Sequence, residues 1–365
     1  MSSARKSVIY LLIVGALCGC GGAAPGEEEE PRAAIESTQG ELRCDDAFSD
    51  SISLGMLAPP VPGGSSEALA INEQRTVVGE SALLISPDWG VQRAFRWKPS
   101  TGMVDLGSLG GEFSAAVDVN ERDQVAGRAV LADDTLHAVV WDAHNRIRDL
   151  GTLGGTQSYA LALNNRGQVI GMSETTPDRY RPFIWDAHTG MVELDLPVEY
   201  GVCKDINDFG VVVGALVRDE HAVPFKWTKQ TGFIELDTLG FLIGEATSIN
   251  DRGEIVGYVS NGGDADPWIA TKWTARGAQL LPSVPDHHRT RPKAINDFGI
   301  VVGEDITFSI TLGIRWDTSS RSARVLAGPN ESLANDVNDR GDIVGVWNTG
   351  HREATLWPRK SRRFW

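Results

Sequence analysis

The sequence predicts an all-β fold, a seven-bladed β-propeller of four-stranded blades. Three observations carry this. A motif built on Asn recurs seven times at near-constant spacing. A short apolar strand ending in Trp recurs in step with it. A spare strand near residue 52 matches a strand missing from the last unit.

The Asn motif is an apolar residue, Asn, two residues, usually Gly, then an apolar pair and Gly. It reads INEQRTVVG, VNERDQVAG, LNNRGQVIG, INDFGVVVG, INDRGEIVG, INDFGIVVG and VNDRGDIVG. Its asparagines are Asn72, Asn120, Asn164, Asn207, Asn250, Asn296 and Asn338, spaced 42 to 48 residues apart. The Trp strands (RAFRW, HAVVW, RPFIW, VPFKW, IATKW, LGIRW and EATLW) end at Trp97, Trp141, Trp185, Trp227, Trp273, Trp316 and Trp357. A fixed period of this length marks a repeat architecture.

Each unit reads as four short strands. The first ends at the Asn, as in YALALN. The second is of the QVIG type, reached through a tight turn in which Gly supplies positive φ and Asn bonds the turn backbone. The third is the Trp strand, and the fourth is of the GMVELDL type. No segment keeps a helical period. Such units bury their faces by stacking on one another, so the seven tryptophans are expected between blades. After Trp357 no good fourth strand remains, while ISLGML at 52–57 is a fourth strand without a unit. Pairing it into the last blade closes the ring. An open array or β-helix would leave it unpaired.

Residues 149–155, DLGTLGG, invite comparison with a phosphate-cradling loop. They have a near twin, DLGSLGG, at 105–111, and are followed by strand-like TQSYALALN. A phosphate site needs a helix N-terminus there. The expected role is the end of an outer strand plus the crossing to the next blade.

AAVDVN, QVAG, HAVVW and DLGTLGG, in that order, resemble the HAF-repeat family of extracellular bacterial repeat proteins. The resemblance covers 51–365. Departures are clear: no unit contains His-Ala-Phe, the later units lose most of DLGTLGG, and Arg75 and Asp123 stand where the turn glycine is expected. The resemblance implies fold and an exported location, and no activity.

Residues 1–19 read as a lipoprotein signal peptide. Arg5 and Lys6 precede an apolar stretch, Val8 to Leu17, too short to span a bilayer. Leu17-Cys18-Gly19-Cys20 resembles a lipobox, which places cleavage after Gly19 and the lipid on Cys20. Residues 20–50, with Glu27 to Glu30, are too polar to fold and read as an acidic tether to the domain at 51–365. The expected location is the bacterial cell envelope or cell surface, with the membrane held through the anchor. Net charge is −15, and losing Arg5 and Lys6 takes it to about −17, which argues against nucleic acid as a partner. Cys44 and Cys203 remain as a possible disulfide in an oxidising compartment, or as two free thiols.

No nucleophile elbow, zincin helix or phosphate loop is present, and no cofactor or metal motif. Two residue sets remain as candidate ligand-binding positions. Two residues before each motif Asn stand Ala70, Asp118, Ala162, Asp205, Ser248, Ala294 and Asp336, expected at one level of the channel. The three aspartates serve acid–base chemistry, hold a cation, or accept backbone hydrogen bonds beside the turn. Trp89, Tyr180 and Trp268 lie in the variable loops between second and third strands, where they either grip a ligand or cover their own blades. The expected function is a non-enzymatic propeller scaffold binding a protein or polysaccharide partner. The alternative is a glycan-active hydrolase or lyase using the channel aspartates; a pure spacer is the third.

Overall fold

The computed structural model describes residues 51–57, 64–86, 89–198, 200–263, 266–282, 289–307, 310–317, 322–326, 331–348 and 350–359. The expected signal peptide and tether, with Cys20 and Cys44, lie outside them. Among the described residues every regular element is a strand, and the strands form seven four-stranded antiparallel sheets. Blade three shows the pattern: Ser158–Leu163, Val169–Thr176, Arg179–Asp186 and Gly190–Glu193, each paired with the next. The first strands touch one another around the closed ring, so they are innermost. In the last sheet Ile52–Gly55 pairs with Arg352–Trp357 and supplies the fourth strand, as the sequence requires.

Every interface between blades has its own apolar cluster. One holds Ala70, Val78, Ala94 and Leu106 of blade one against Val125, Val139 and Trp141 of blade two. Another joins Leu54, Val344 and Leu356 to Ile71 and Phe95, across the point of closure. Trp141, Trp316 and Trp357 are fully buried, and Trp185 and Trp273 nearly so. Trp97 and Trp227 are half-buried against such clusters. The tryptophans are core.

The Gly that ends each Asn motif has a steric cause. A Cβ on Gly171 would stand 2.1 Å from the carbonyl oxygen of Tyr159 on the first strand, and the other six copies are equally close. No side chain fits that approach.

A second cross-blade rule joins the first strand to the preceding blade. The residue three before Trp donates its backbone N–H to a Ser or Thr hydroxyl: Ala94 to Ser114, Ala138 to Ser158, Ala270 to Thr290, Gly313 to Ser332 and Ala354 to Ser66, at 2.9–3.2 Å. At the two remaining junctions the donor position is Pro182 or Pro224, which has no N–H, and the acceptor position is Gly201 or Gly244. Where the donor is missing, so is the acceptor. A Cβ on Gly244 would meet the Pro224 ring at 3.1 Å.

Arg75 and Asp123 adopt φ of 60° and 58°, in the left-handed region where glycine is favoured. Their side chains compensate. Asp123 accepts from Thr76, Asn72 and Lys98 of blade one, and Arg75 pairs with Asp342 of blade seven at 2.7 Å.

Trp316→Ala is expected to cost about 3–5 kcal/mol in chemical denaturation. Ser332→Ala leaves the buried Gly313 N–H without its acceptor and is expected to cost about 1–3 kcal/mol. A Ser332→Ala loss below a few tenths would remove the cross-blade rule.

Candidate functional site

The seven Asn turns crowd one end of the channel. Each motif Asn uses Oδ1 to accept from its own turn, as Asn164 does from the N–H groups of Arg166 and Gln168. Its Nδ2 donates to the carbonyl of the next blade's motif Asn. The chain of donations runs from Asn72 to Asn120, Asn164, Asn207, Asn250, Asn296 and Asn338, then back to Asn72, at 2.8–3.1 Å. Seven local turns are thereby joined in one cycle.

The residue after each Asn builds a second cycle. Glu73 N–H donates to Glu121, Glu121 to Asn165, Asn165 to Asp208, Asp208 to Asp251, Asp251 to Asp297 and Asp297 to Asp339, at 2.7–3.1 Å. Asp339 closes it by donating to Glu73. Six of the seven acceptors are carboxylates. They rim a cavity of about 270 Å³ whose lining also includes six of the seven motif asparagines, all but Asn72, and the apolar residues Ile71, Val119, Leu163, Ile206, Ile249, Ile295 and Val337. Among the described residues only Glu73 of the six has a Lys or Arg nitrogen within 4 Å, that of Arg340 at 3.5 Å. Burial, opposed by the N–H bonds and reinforced by neighbouring acids, raises the Glu73, Asp251 and Asp339 carboxyls above their usual range. On the same turns Phe209 and Phe298 are 64% and 68% exposed.

The candidate aspartates lie one step deeper. Every first strand has a β-bulge at this level, for example between Ala116 and Asp118 or Ala334 and Asp336. The N–H that follows needs an acceptor. Asp118 accepts from Val119 and, across the junction, Leu163. Asp205 accepts from Ile206 and Ile249, and Asp336 from Val337 and Ile71. Ser248 Oγ takes Ile295 at 3.3 Å and itself donates to Asp205. Three aspartates and one serine thus serve all seven N–H groups, which is why blades two, four and seven suffice to carry the acids. Burial pushes Asp118 up to about 8 and Asp336 to about 6, against the N–H bonds that favour ionisation; Asp205 is also raised.

The other end of the channel carries the second-to-third loops together with the crossings, as the bridge between Trp268 and Arg289 shows. Tyr180 is half-buried, its hydroxyl donates to Gln157 Oε1 at 2.9 Å, and its ring lies 6.1 Å from that of Tyr159. Trp268 stacks on Tyr258 at 5.1 Å, with the Arg291 guanidinium 4.9 Å from its ring. Both rings cover their own blades. Trp89 begins a strand, and its side chain lies outside the described residues. Cys203 is a buried thiol that donates to Gly171 O at 3.2 Å, and burial pushes it up to about 12. The backbone N–H groups of DLGTLGG are engaged within the fold. Gly151 donates to Asp149, Leu153 to Ser173 and Gly155 to Glu174, so the loop offers no nest for a phosphate.

Sequence reasoning placed the aspartate layer but passed over the acid rim. Its signal was present: the position after the motif Asn is acidic in six of seven units.

No family model and no curated protein matches this chain. Solved propellers do. The β-propeller domain of the Trilobed protease from Pyrococcus furiosus matches with a TM-score of 0.61 at 11% identity, over 84% of this chain and 98% of that one. Pyrococcus horikoshii acylaminoacyl peptidase gives 0.59 at 11%, over 83% of this chain; the match spans 52% of the peptidase. Oligogalacturonate lyase from Vibrio parahaemolyticus gives 0.53 at 10%, over 84% and 92%. At these identities the likeness is one of fold.

Because the native Asp118 carboxyl titrates near 8 and the unfolded one near 3.8, the folded state holds a proton that the unfolded state releases. This contribution to stability is full below about pH 4 and is lost as pH rises through about 8. Asp118→Asn is expected to flatten the stability profile over that window, measured by denaturation at fixed pH steps. An unchanged slope would show that Asp118 is ionised throughout.

Proposed function

We propose that this protein is a non-enzymatic binding module of the cell envelope. It is held by lipid on Cys20 and its 20–50 tether, and its acid-rimmed mouth takes a cationic segment of a protein partner. The observation that supports the reading is the rim itself: six carboxylates around one cavity, of which, among the described residues, only Glu73 has a Lys or Arg nitrogen within 4 Å. A cation entering there meets several acids at once, each worth about 1–4 kcal/mol at 4 Å between aqueous and near-surface screening. Exposed Phe209 and Phe298 add apolar contact beside it.

A fluorescent octalysine titrated into the chain starting at Gly21 tests this. Binding is expected to strengthen from pH 4 to 7, as rim acids with raised pKa values ionise. It is expected to weaken with salt. Combined Asp208→Asn, Asp251→Asn and Asp297→Asn should cost at least tenfold in affinity. Asn165 already shows that an amide can hold a place in the cycle, so the fold should survive. Full affinity in the folded triple variant would rule out the mouth.

The second reading is a glycan-active hydrolase or lyase working through Asp118, Asp205 and Asp336. Its support is the raised Asp118 carboxyl, a feature common at reactive sites. Against it, each of the three holds two backbone N–H groups.

A further inference from the structure

Two kinds of cross-blade hydrogen bond recur around the ring, and they are unevenly shared. In the first, a Ser or Thr hydroxyl at the head of a first strand accepts an N–H from the preceding blade. It joins blades one to two, two to three, five to six, six to seven and seven to one. In the second, the side chain two before a motif Asn accepts the N–H one before the next blade's Asn. It joins two to three, four to five, five to six and seven to one. Between blades three and four neither can form. Pro182 has no N–H to donate, Gly201 has no hydroxyl to accept, and Ala162 stands at the deeper position. Among the described residues every other junction has at least one of the two. The closure between blades seven and one has both, and Asn335 adds donations to Glu67 and to the Ala68 carbonyl.

We propose that the ring is gated at the junction of blades three and four, which parts while the closure stays shut. The junction keeps its bonds at the Asn turns. There Asn164 donates to the Asn207 carbonyl, and Asn165 donates to Asp208 through both its backbone N–H and its amide. These turns are the hinge. Beyond them the wedge is filled by Tyr159, Met172, Leu196, Val202 and Cys203. Apolar contact is non-directional, so it resists sliding less than a hydrogen bond does. The Cys203 thiol, 3.2 Å from Gly171 O, is a weak donor and a weak tie. The Tyr159 hydroxyl is buried with no hydrogen-bond partner among the described residues, a cost that opening to water removes. Sub-global opening of a weakly tied unit takes less free energy than unfolding the whole domain. Parting bares the apolar wedge and gives the channel a side entrance between the two blades.

Cys203 is fully buried at this junction and reports its opening. In the chain starting at Gly21, Cys44→Ser leaves it as the one thiol. Ala68 and Ala334 are also fully buried and hold the same place on the first strands of blades one and seven. Moving the thiol there, by Cys203→Ala with Ala68→Cys or Ala334→Cys, reports the closure and the junction of blades six and seven. Each rate of modification by DTNB under native conditions is set against the rate that the variant's own global stability allows, from chemical denaturation. Cys203 is expected to react at least tenfold faster than either control on that scale, whereas global unfolding exposes all three alike. Equal rates, or a slower Cys203, overturn the proposal. Pro182→Ala with Gly201→Ser copies the Ala138–Ser158 bond into the junction. A Cβ on Gly201 meets Leu196 Cδ1 at 3.1 Å, the end of a flexible side chain, so the Ser can be seated. This variant is expected to slow Cys203 modification about tenfold. An unchanged rate in the folded variant also overturns the proposal, and the comparison of the three thiols decides alone if the variant does not fold.

Discussion

The side-chain amide of the motif Asn is the interaction on which the rest of this ring depends. Its oxygen organises a turn within one blade, and its nitrogen donates to the same turn of the next. An ionised Asp caps turns but has no donor to spare, whereas the Asn amide offers an acceptor oxygen and an NH2 donor on one planar group. The cycle of seven such donations sets blade against blade at the axis, where the first strands are closest. Apolar clusters fill the wedges farther out, but they are non-directional and do not specify register.

Both channel features follow from that register. The rim acids come together because each follows a motif Asn, and their N–H bonds hold six like charges around one opening. The deeper aspartates answer a different need. A bulge at the same level in every blade leaves an N–H without a ladder partner, and a carboxylate with two oxygens can serve its own blade and its neighbour. Their raised pKa values record what it takes to keep those acceptors out of bulk water. A perturbed carboxyl in a channel is thus an ambiguous sign, and its hydrogen bonds say more than its pKa.

The scaffold is shared with proteins named as peptidases and a lyase, yet at identities near 10% what is shared is the ring. The features of this chain that bear on a site are local: an acid at six of the seven positions after the motif Asn, and exposed phenylalanines on two of the same turns.

Much of this was legible in the sequence. The Asn spacing, the Trp strands and the displaced strand at Ile52 were enough for blade number, strand order, closure and the burial of the tryptophans, because a repeat that cannot bury its own face must stack on its neighbours. The sequence also put Asp118, Asp205 and Asp336 at one level. Other facts were written there but could not be read. The acids after Asn looked like ordinary turn residues, because a single turn accounts for a single acid. The exchange of Ser or Thr for Gly wherever the previous blade has Pro is invisible until the two positions are known to face each other. Only the closed ring decided these points. It brings residues 42 to 48 apart in the chain, and at the closure 266 apart, within hydrogen-bond distance, and a contact of that range has no local signature.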